Sequence, residues 1–223
     1  MIDIAGNIKN LKSRLPTSVK LVAVSKTKPV SDIMEAYNAG QRTFGENRVP
    51  ELLNKKDLLP KDIEWHFIGH LQSNKVKSLV PFVHMIQSAD SFKLLQFINS
   101  EALKAGKVVD CLLQIHIATE DTKFGFSMPE LNEGFKTDTL NLLNVRICGV
   151  MGMATFTTDV EKIKTEFKYL HDYFHSLKEK YFRSDVNFKE ISMGMSGDYN
   201  LAVSEGSTMV RIGSLIFGER FPL

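Results

Sequence analysis

The sequence predicts an α/β chain folded as a single (β/α)8 barrel. Eight short apolar runs of strand length recur along it, and nearly every one is followed by a segment of helical spacing. Strict βα alternation implies parallel strands joined by right-handed crossovers. No shift in composition and no linker separates the halves, so one domain is expected over residues 1–223. Barrels of this type use about 200–250 residues as one unit, and the chain has 223. The competing architecture, an open nucleotide-binding sheet, wants a GxGxxG turn after its first strand. Ser25-Lys26-Thr27-Lys28-Pro29 stands there instead.

Taken in order, Ile4, Ile8, Leu11 and Leu15 are spaced as one face of a helix that Pro16 ends. Val19 to Val24 is apolar and β-branched except for Lys20, as suits a strand covered on both faces. Ser31 is expected to cap a helix through Tyr37, with Gly40 at its stop. Strands are then expected at Thr43 to Gly45, Trp65 to Gly69, Val83 to Ile86, Cys111 to Ile117, Val145 to Val150, Lys189 to Ser192 and Met209 to Ile212. Asp90 and Ser91 cap a helix carrying Leu94, Leu95, Ile98 and Ala102, which stops at Gly106. The clearest helix runs from Asp159 to Tyr181, where Val160, Ile163, Phe167, Leu170, Phe174, Leu177 and Tyr181 form an unbroken stripe.

Composition narrows the function. With 28 Lys+Arg against 26 Asp+Glu the net charge is +2, and 43% of residues are hydrophobic. A disordered chain lacks that apolar content, and a nucleic-acid binder would carry a large, clustered basic excess. The start, Met1-Ile2-Asp3-Ile4-Ala5-Gly6-Asn7, has no basic region leading into an apolar stretch. No apolar run approaches the ~20 residues that cross a bilayer. Cys111 and Cys148 lie in apolar stretches without CxxC spacing, which reads as buried, inert thiols. A soluble protein of the reducing cytoplasm, with no nucleic-acid or membrane partner, is expected.

In a barrel, chemistry belongs at the C-terminal ends of the strands. Alternation along the first strand puts Val22, Val24 and Lys26 on one face, so Lys26 stands at the barrel mouth if that face points inward. Partial desolvation there lowers a lysine's pKa and frees its amine for imine formation. Lys28 fits less well, because Pro29 draws the chain away. Arg211, inside Met209-Val210-Arg211-Ile212-Gly213, must find an acceptor: a core carboxylate or a ligand. Ser192-Met193-Gly194-Met195-Ser196-Gly197-Asp198, before a short helix at Tyr199 to Val203, and Gly213-Ser214 form glycine- and serine-rich loops after strands seven and eight, where this fold commonly binds phosphate. His171 and His175 have the i, i+4 spacing of a zinc helix but no third ligand, and read as boundary histidines. His66 shares a face with Ile68 and His70 and reads as a core histidine. An imine-forming lysine, a phosphate cradle and an arginine fit pyridoxal 5′-phosphate. A lysine-dependent aldolase acting on a sugar phosphate fits the first two almost as well.

Several motifs in register resemble one family. Ala23-Val24-Ser25-Lys26-Thr27-Lys28-Pro29, Phe44-Gly45-Glu46-Asn47, Trp65-His66-Phe67-Ile68-Gly69, Leu71-Gln72-Ser73-Asn74-Lys75, Met193-Gly194-Met195-Ser196 with Asp198, and Val210-Arg211-Ile212-Gly213 are similar to the signature of the pyridoxal phosphate homeostasis proteins. Lys123-Phe124-Gly125 and Gly149 to Ala154 also resemble family segments. The resemblance implies a barrel like the N-terminal domain of alanine racemases, with pyridoxal 5′-phosphate held as a Schiff base on Lys26. It implies that Ser196, Gly213 and Ser214 hold the phosphate, that Arg211 meets the pyridine nitrogen, and that Asn47 lies near the ring's other polar edge. Such proteins are carriers or buffers of the cofactor, with apo forms of enzymes that use it as possible recipients.

A weak amino-acid racemase is the alternative. Racemization needs acid/base groups on both faces of the substrate carbon, and the racemase family supplies one from a further C-terminal domain. Nine residues follow Ser214, ending Phe221-Pro222-Leu223, so no such domain is expected. A monomer is expected as well.

Overall fold

The computed structural model describes residues 2–118, 124–136 and 142–219. Lys123 and the closing Phe221-Pro222-Leu223 lie outside the described residues. Eight strands, β1 (Lys20–Val24), β2 (Thr43–Glu46), β3 (Glu64–Phe67), β4 (Met85–Ala89), β5 (Val109–Gln114), β6 (Val145–Met151), β7 (Glu190–Ser192) and β8 (Met209–Ile212), close into a barrel in sequence order. Every pairing is parallel, including the closing one of β1 with β8. That seam sets Lys20 against Met209, Leu21 against Val210, Val22 against Arg211 and Ala23 against Ile212.

Helices α1 (Ile4–Arg14), α2 (Val30–Asn38), α3 (Val49–Lys56), α4 (Val76–Leu79), α5 (Phe92–Lys104), α6 (Met128–Lys136), α7 (Val160–Tyr181), α8 (Tyr199–Ser204) and α9 (Ser214–Phe217) accompany the strands. Alternation along each strand divides the apolar residues between two cores. Leu21 and Ala23 join the large core between sheet and helices. Val22 joins Met85, Leu112, Cys148, Met151 and Met209 inside the barrel.

Helix ends follow the chemistry of their caps. The Asp3, Ser91 and Asp159 side chains accept from Gly6, Leu94 and Lys162 backbone N–H groups. Gly40 and Gly106, at φ +88° and +63°, end α2 and α5 in the left-handed region that glycine tolerates. The expectation that Ser31 caps α2 is corrected: Pro29 occupies the cap position, and the Ser31 hydroxyl turns to Asp32. Proline supplies the required φ without needing a donor there. Val160 opens the predicted stripe of α7 yet is 45% exposed, standing directly after the Asp159 cap; the stripe from Ile163 to Leu177 is buried. β4 runs Met85–Ala89, later than predicted, and β5 ends at Gln114, with Ile115 making only an isolated bridge to Phe126. Cys111 and Cys148 are buried free thiols, and burial pushes Cys148 up to about 12. No helix among the described residues is long and apolar enough to cross a membrane.

Phe167, fully buried at the centre of the α7 stripe, sets the anchoring of that helix. Phe167→Ala should destabilise the fold by about 3–5 kcal/mol, read as a lower urea midpoint at unchanged m-value.

Candidate functional site

The C-terminal mouth of the barrel opens into a cavity of about 620 Å³. Lys26, Asn47, Ser196, Arg211, Gly213 and Ser214 all line it. Six positions from four separate chain segments thus meet at one opening, as the closed topology requires of loops that follow β1, β2, β7 and β8.

The backbone around Lys26 is clamped from below. Lys55 Nζ, in α3, donates to the Ser25 carbonyl at 2.8 Å, to Glu46 at 2.7 Å and to Glu51 at 2.6 Å. The Ser25 hydroxyl donates to Glu46 at 2.7 Å, and the Thr27 N–H donates to Glu51 at 2.5 Å. Both chain neighbours of Lys26 are therefore tied to one buried ionic network. Thr27 itself sits at φ +65°, a conformation that side chains other than glycine rarely adopt. Glu46 is fully buried, and desolvation holds its carboxyl above the usual range despite the Lys55 ammonium. Lys28 is occupied elsewhere: its ammonium donates to the Phe217 and Gly218 carbonyls at the end of α9.

Arg211 points inward from β8 and is 4% exposed. Its Nη1 donates to the Ser192 hydroxyl at 2.7 Å and its Nη2 to the Gly152 carbonyl at 2.9 Å. Among the described residues no carboxylate lies within ion-pair distance of it, so the core-carboxylate alternative is excluded for these residues. Burial lowers its pKa to about 10, opposed by the field of Asp198. The guanidinium remains charged at neutral pH. Ser192 in turn donates to Gln87 Oε1 at 2.7 Å, and Gln87 Nε2 donates to His66 Nδ1 at 2.8 Å. A buried polar column thus runs down the barrel axis beneath Arg211.

The phosphate-type loops are joined to each other, because the Gly213 N–H donates to the Ser196 hydroxyl at 3.2 Å. Asp198 shapes the first of them by accepting from the Met195 N–H at 2.5 Å. Burial raises the Asp198 carboxyl, with that hydrogen bond and the Arg211 charge pulling the other way. Asn47 is held by contact: a Cβ on Gly69 would stand 2.2 Å from the Asn47 carbonyl oxygen. Only glycine permits that approach.

Residues 2–221 match the family model of the alanine racemase N-terminal domain. The pyridoxal phosphate homeostasis protein of Aquifex aeolicus is 42% identical over 202 residues, covering 90% of this chain and 87% of that one. The chain belongs to the pyridoxal phosphate homeostasis protein family. The PipY structure of Synechococcus elongatus, solved with pyridoxal phosphate bound, is similar at TM-score 0.88 and 36% identity, covering 96% of this chain and all of that one. An alanine racemase of Clostridium difficile is similar in fold, with TM-score 0.76 at 15% identity, over 99% of this chain and 60% of its own.

Two features at this mouth of the barrel carry no sufficient signal in the sequence. Glu51 and Lys55 carry an i, i+4 signal on α3, but nothing local says that Glu46 and the Ser25 carbonyl complete the cluster. Asp198 stands in a quoted motif, yet its role depends on where the Met195 N–H turns. His171 and His175 behave as expected, on the boundary of α7, with their Nε2 atoms 3.1 Å apart.

Two outcomes follow. Lys55→Met leaves the Glu46 charge buried without its partner, so it should cost about 3–5 kcal/mol of stability, measured by urea denaturation. As pH rises from the ordinary aspartate value of 3.8 through the raised one, native Asp198 loses a proton that it holds more tightly than the unfolded chain does. It therefore subtracts stability across that window. The stability difference between wild type and Asp198→Asn should fall with rising pH there, as read from denaturation midpoints in acidic buffers.

Proposed function

We propose that the chain binds pyridoxal 5′-phosphate at the C-terminal mouth of its barrel and acts as a reversible carrier that buffers the free cofactor. The observation that carries this reading is the meeting of Lys26 and Arg211 on one cavity across the β1–β8 seam. The residues present fit the group. The cavity is within the size range of small-molecule sites. The Arg211 guanidinium is anchored through two of its nitrogens, while further N–H donors remain for an acceptor on a ligand.

When bound, the cofactor supplies an electrophilic aldehyde carbon and an aromatic ring that can accept electrons. Lys26 contributes the amine that bonds to that carbon with loss of one water, the Schiff base expected from the sequence. The clamp on Ser25 and Thr27 orients this lysine. Ser196, Gly213 and Ser214 offer hydroxyl and backbone N–H donors to the phosphate, and Asn47 offers its amide to the ring's polar edge. Arg211 donates to the ring nitrogen. Because a guanidinium does not give up its proton, that nitrogen stays unprotonated and the ring remains a poor electron sink. This favours storage over catalysis, and the likeness to the racemase is one of fold.

A single barrel of residues 1–223, working as a monomer in the cytoplasm, suffices for this role. Release occurs when a competing amine, or the vacant lysine of an apo-enzyme, takes the aldehyde from Lys26.

Absorption spectra before and after borohydride, followed by peptide mapping, test the reading. A yellow chromophore should bleach on reduction and leave an adduct on the peptide containing Lys26. Lys26→Ala should abolish the adduct and retain weaker binding through the phosphate. A wild-type protein that stays colourless with added pyridoxal phosphate, or a Lys26→Ala variant still labelled on that peptide, would overturn it.

A further inference from the structure

The opposite, N-terminal mouth of the barrel holds a second group of ligand-type side chains that the carrier role leaves unused. Glu64 opens β3, His66 follows two residues later on the same face, and His84 immediately precedes β4. Their ligand atoms lie within 4.8 Å of one another. The two imidazoles are parallel, at 3° and with centroids 5.6 Å apart. His84 is placed by the sheet itself, since its backbone N–H donates to the Trp65 carbonyl between the other two residues.

We propose that Glu64, His66 and His84 form a binding site for a divalent transition-metal ion of the zinc or cobalt class. Two imidazoles and one carboxylate, with a fourth position left for water, are a donor set suited to such ions. An independent observation points to a ligand. His66 is fully buried, and its Nε2 has no hydrogen-bond partner among the described residues. A buried N–H without an acceptor is unfavourable, and an ion that takes the place of this proton relieves that. Metal bonds of ~2.1 Å in a tetrahedron place ligand atoms about 3.4 Å apart, so the exposed His84 must turn out of its parallel arrangement with His66 to aim its nitrogen at the same point.

Supporting contacts are already in place. Thr43 Oγ1 donates to Glu64 Oε2 at 2.8 Å, which orients the carboxylate. Gln87 holds the other face of His66 through Nδ1. Because Gln87 presents its amide N–H there, the neutral ring now carries its proton on Nε2. Metal binding shifts that proton to Nδ1, and a half-turn of the Gln87 amide offers its oxygen to receive it, giving up the hydroxyl proton that Ser192 now donates to that oxygen. Ligating histidines are held by outer partners of this kind. One permanent charge opposes the site: the Lys20 ammonium, at the start of β1, acts on His66 through its field.

Titrating Co2+ into the full-length protein, with visible absorption as the readout and Zn2+ as competitor, tests the site. One saturable equivalent is expected. His84→Ala and Glu64→Gln change partly or fully exposed groups, and each should weaken binding by at least the roughly 10–100-fold that follows loss of an outer partner. Lys20→Met should tighten it. The paired change His171→Ala and His175→Ala, which removes the exposed histidine pair on α7, should leave it unchanged. Absence of saturable binding, binding that survives Glu64→Gln and His84→Ala, or binding lost with the α7 pair would each overturn the proposal. The readout needs no pyridoxal phosphate, so its outcome is independent of the carrier reading.

Discussion

Everything at the upper mouth depends on the parallel pairing of β1 with β8. These strands stand at opposite ends of the chain, and their ladder, with Val22 against Arg211, is what converts a curved sheet into a closed cylinder. Lys26 leaves the end of one strand, while Arg211 and Gly213 belong to the other and its loop. Without the seam, the amine and the guanidinium would have no reason to share a cavity. A Cβ on Gly213 would stand 3.3 Å from the Val24 carbonyl oxygen, so a side chain there would have to press the end of β1 by a few tenths of an ångström.

Two buried cations among the described residues are held by opposite means. Lys55 is met by two carboxylates and a carbonyl, which makes it the centre of a charged cluster beneath the Lys26 loop. Arg211 is met by a hydroxyl and a carbonyl, both uncharged. A cation answered by carboxylates is electrostatically complete and serves to hold backbone. A cation answered only by dipoles keeps field to spare at the cavity wall, where a ligand acceptor finds it. The two lie at the same end of the barrel and divide scaffold from contact.

Much of this was legible in the residues. Period-2 alternation put Val22, Val24 and Lys26 on the inner face and gave Arg211 the same side as Met209, because a strand's pleat leaves only two choices. The caps at Ser91 and Asp159 and the glycines ending α2 and α5 followed from local chemistry alone. What alternation cannot supply is the partner across the barrel. Ser192 and Gly152 reach Arg211 from β7 and from the turn after β6, and neither carries a sequence mark for that contact. Ser31 misled because a good cap residue lay beside a proline that already had the right φ. His84 was assigned to strand for its apolar neighbours, although it stands just outside β4 and faces solvent.

The grip of Lys28 on the α9 carbonyls has a consequence for the order in which the molecule matures. A nascent chain presents Lys26 early, while Arg211, Gly213, Ser214 and α9 emerge much later. Until those final elements dock, the loop carrying Lys26 lacks both its seam and this tether. The cavity is therefore complete only once β8 closes the cylinder. A chain without β8 and α9 would carry Lys26 but not the cavity wall that Arg211, Gly213 and Ser214 provide.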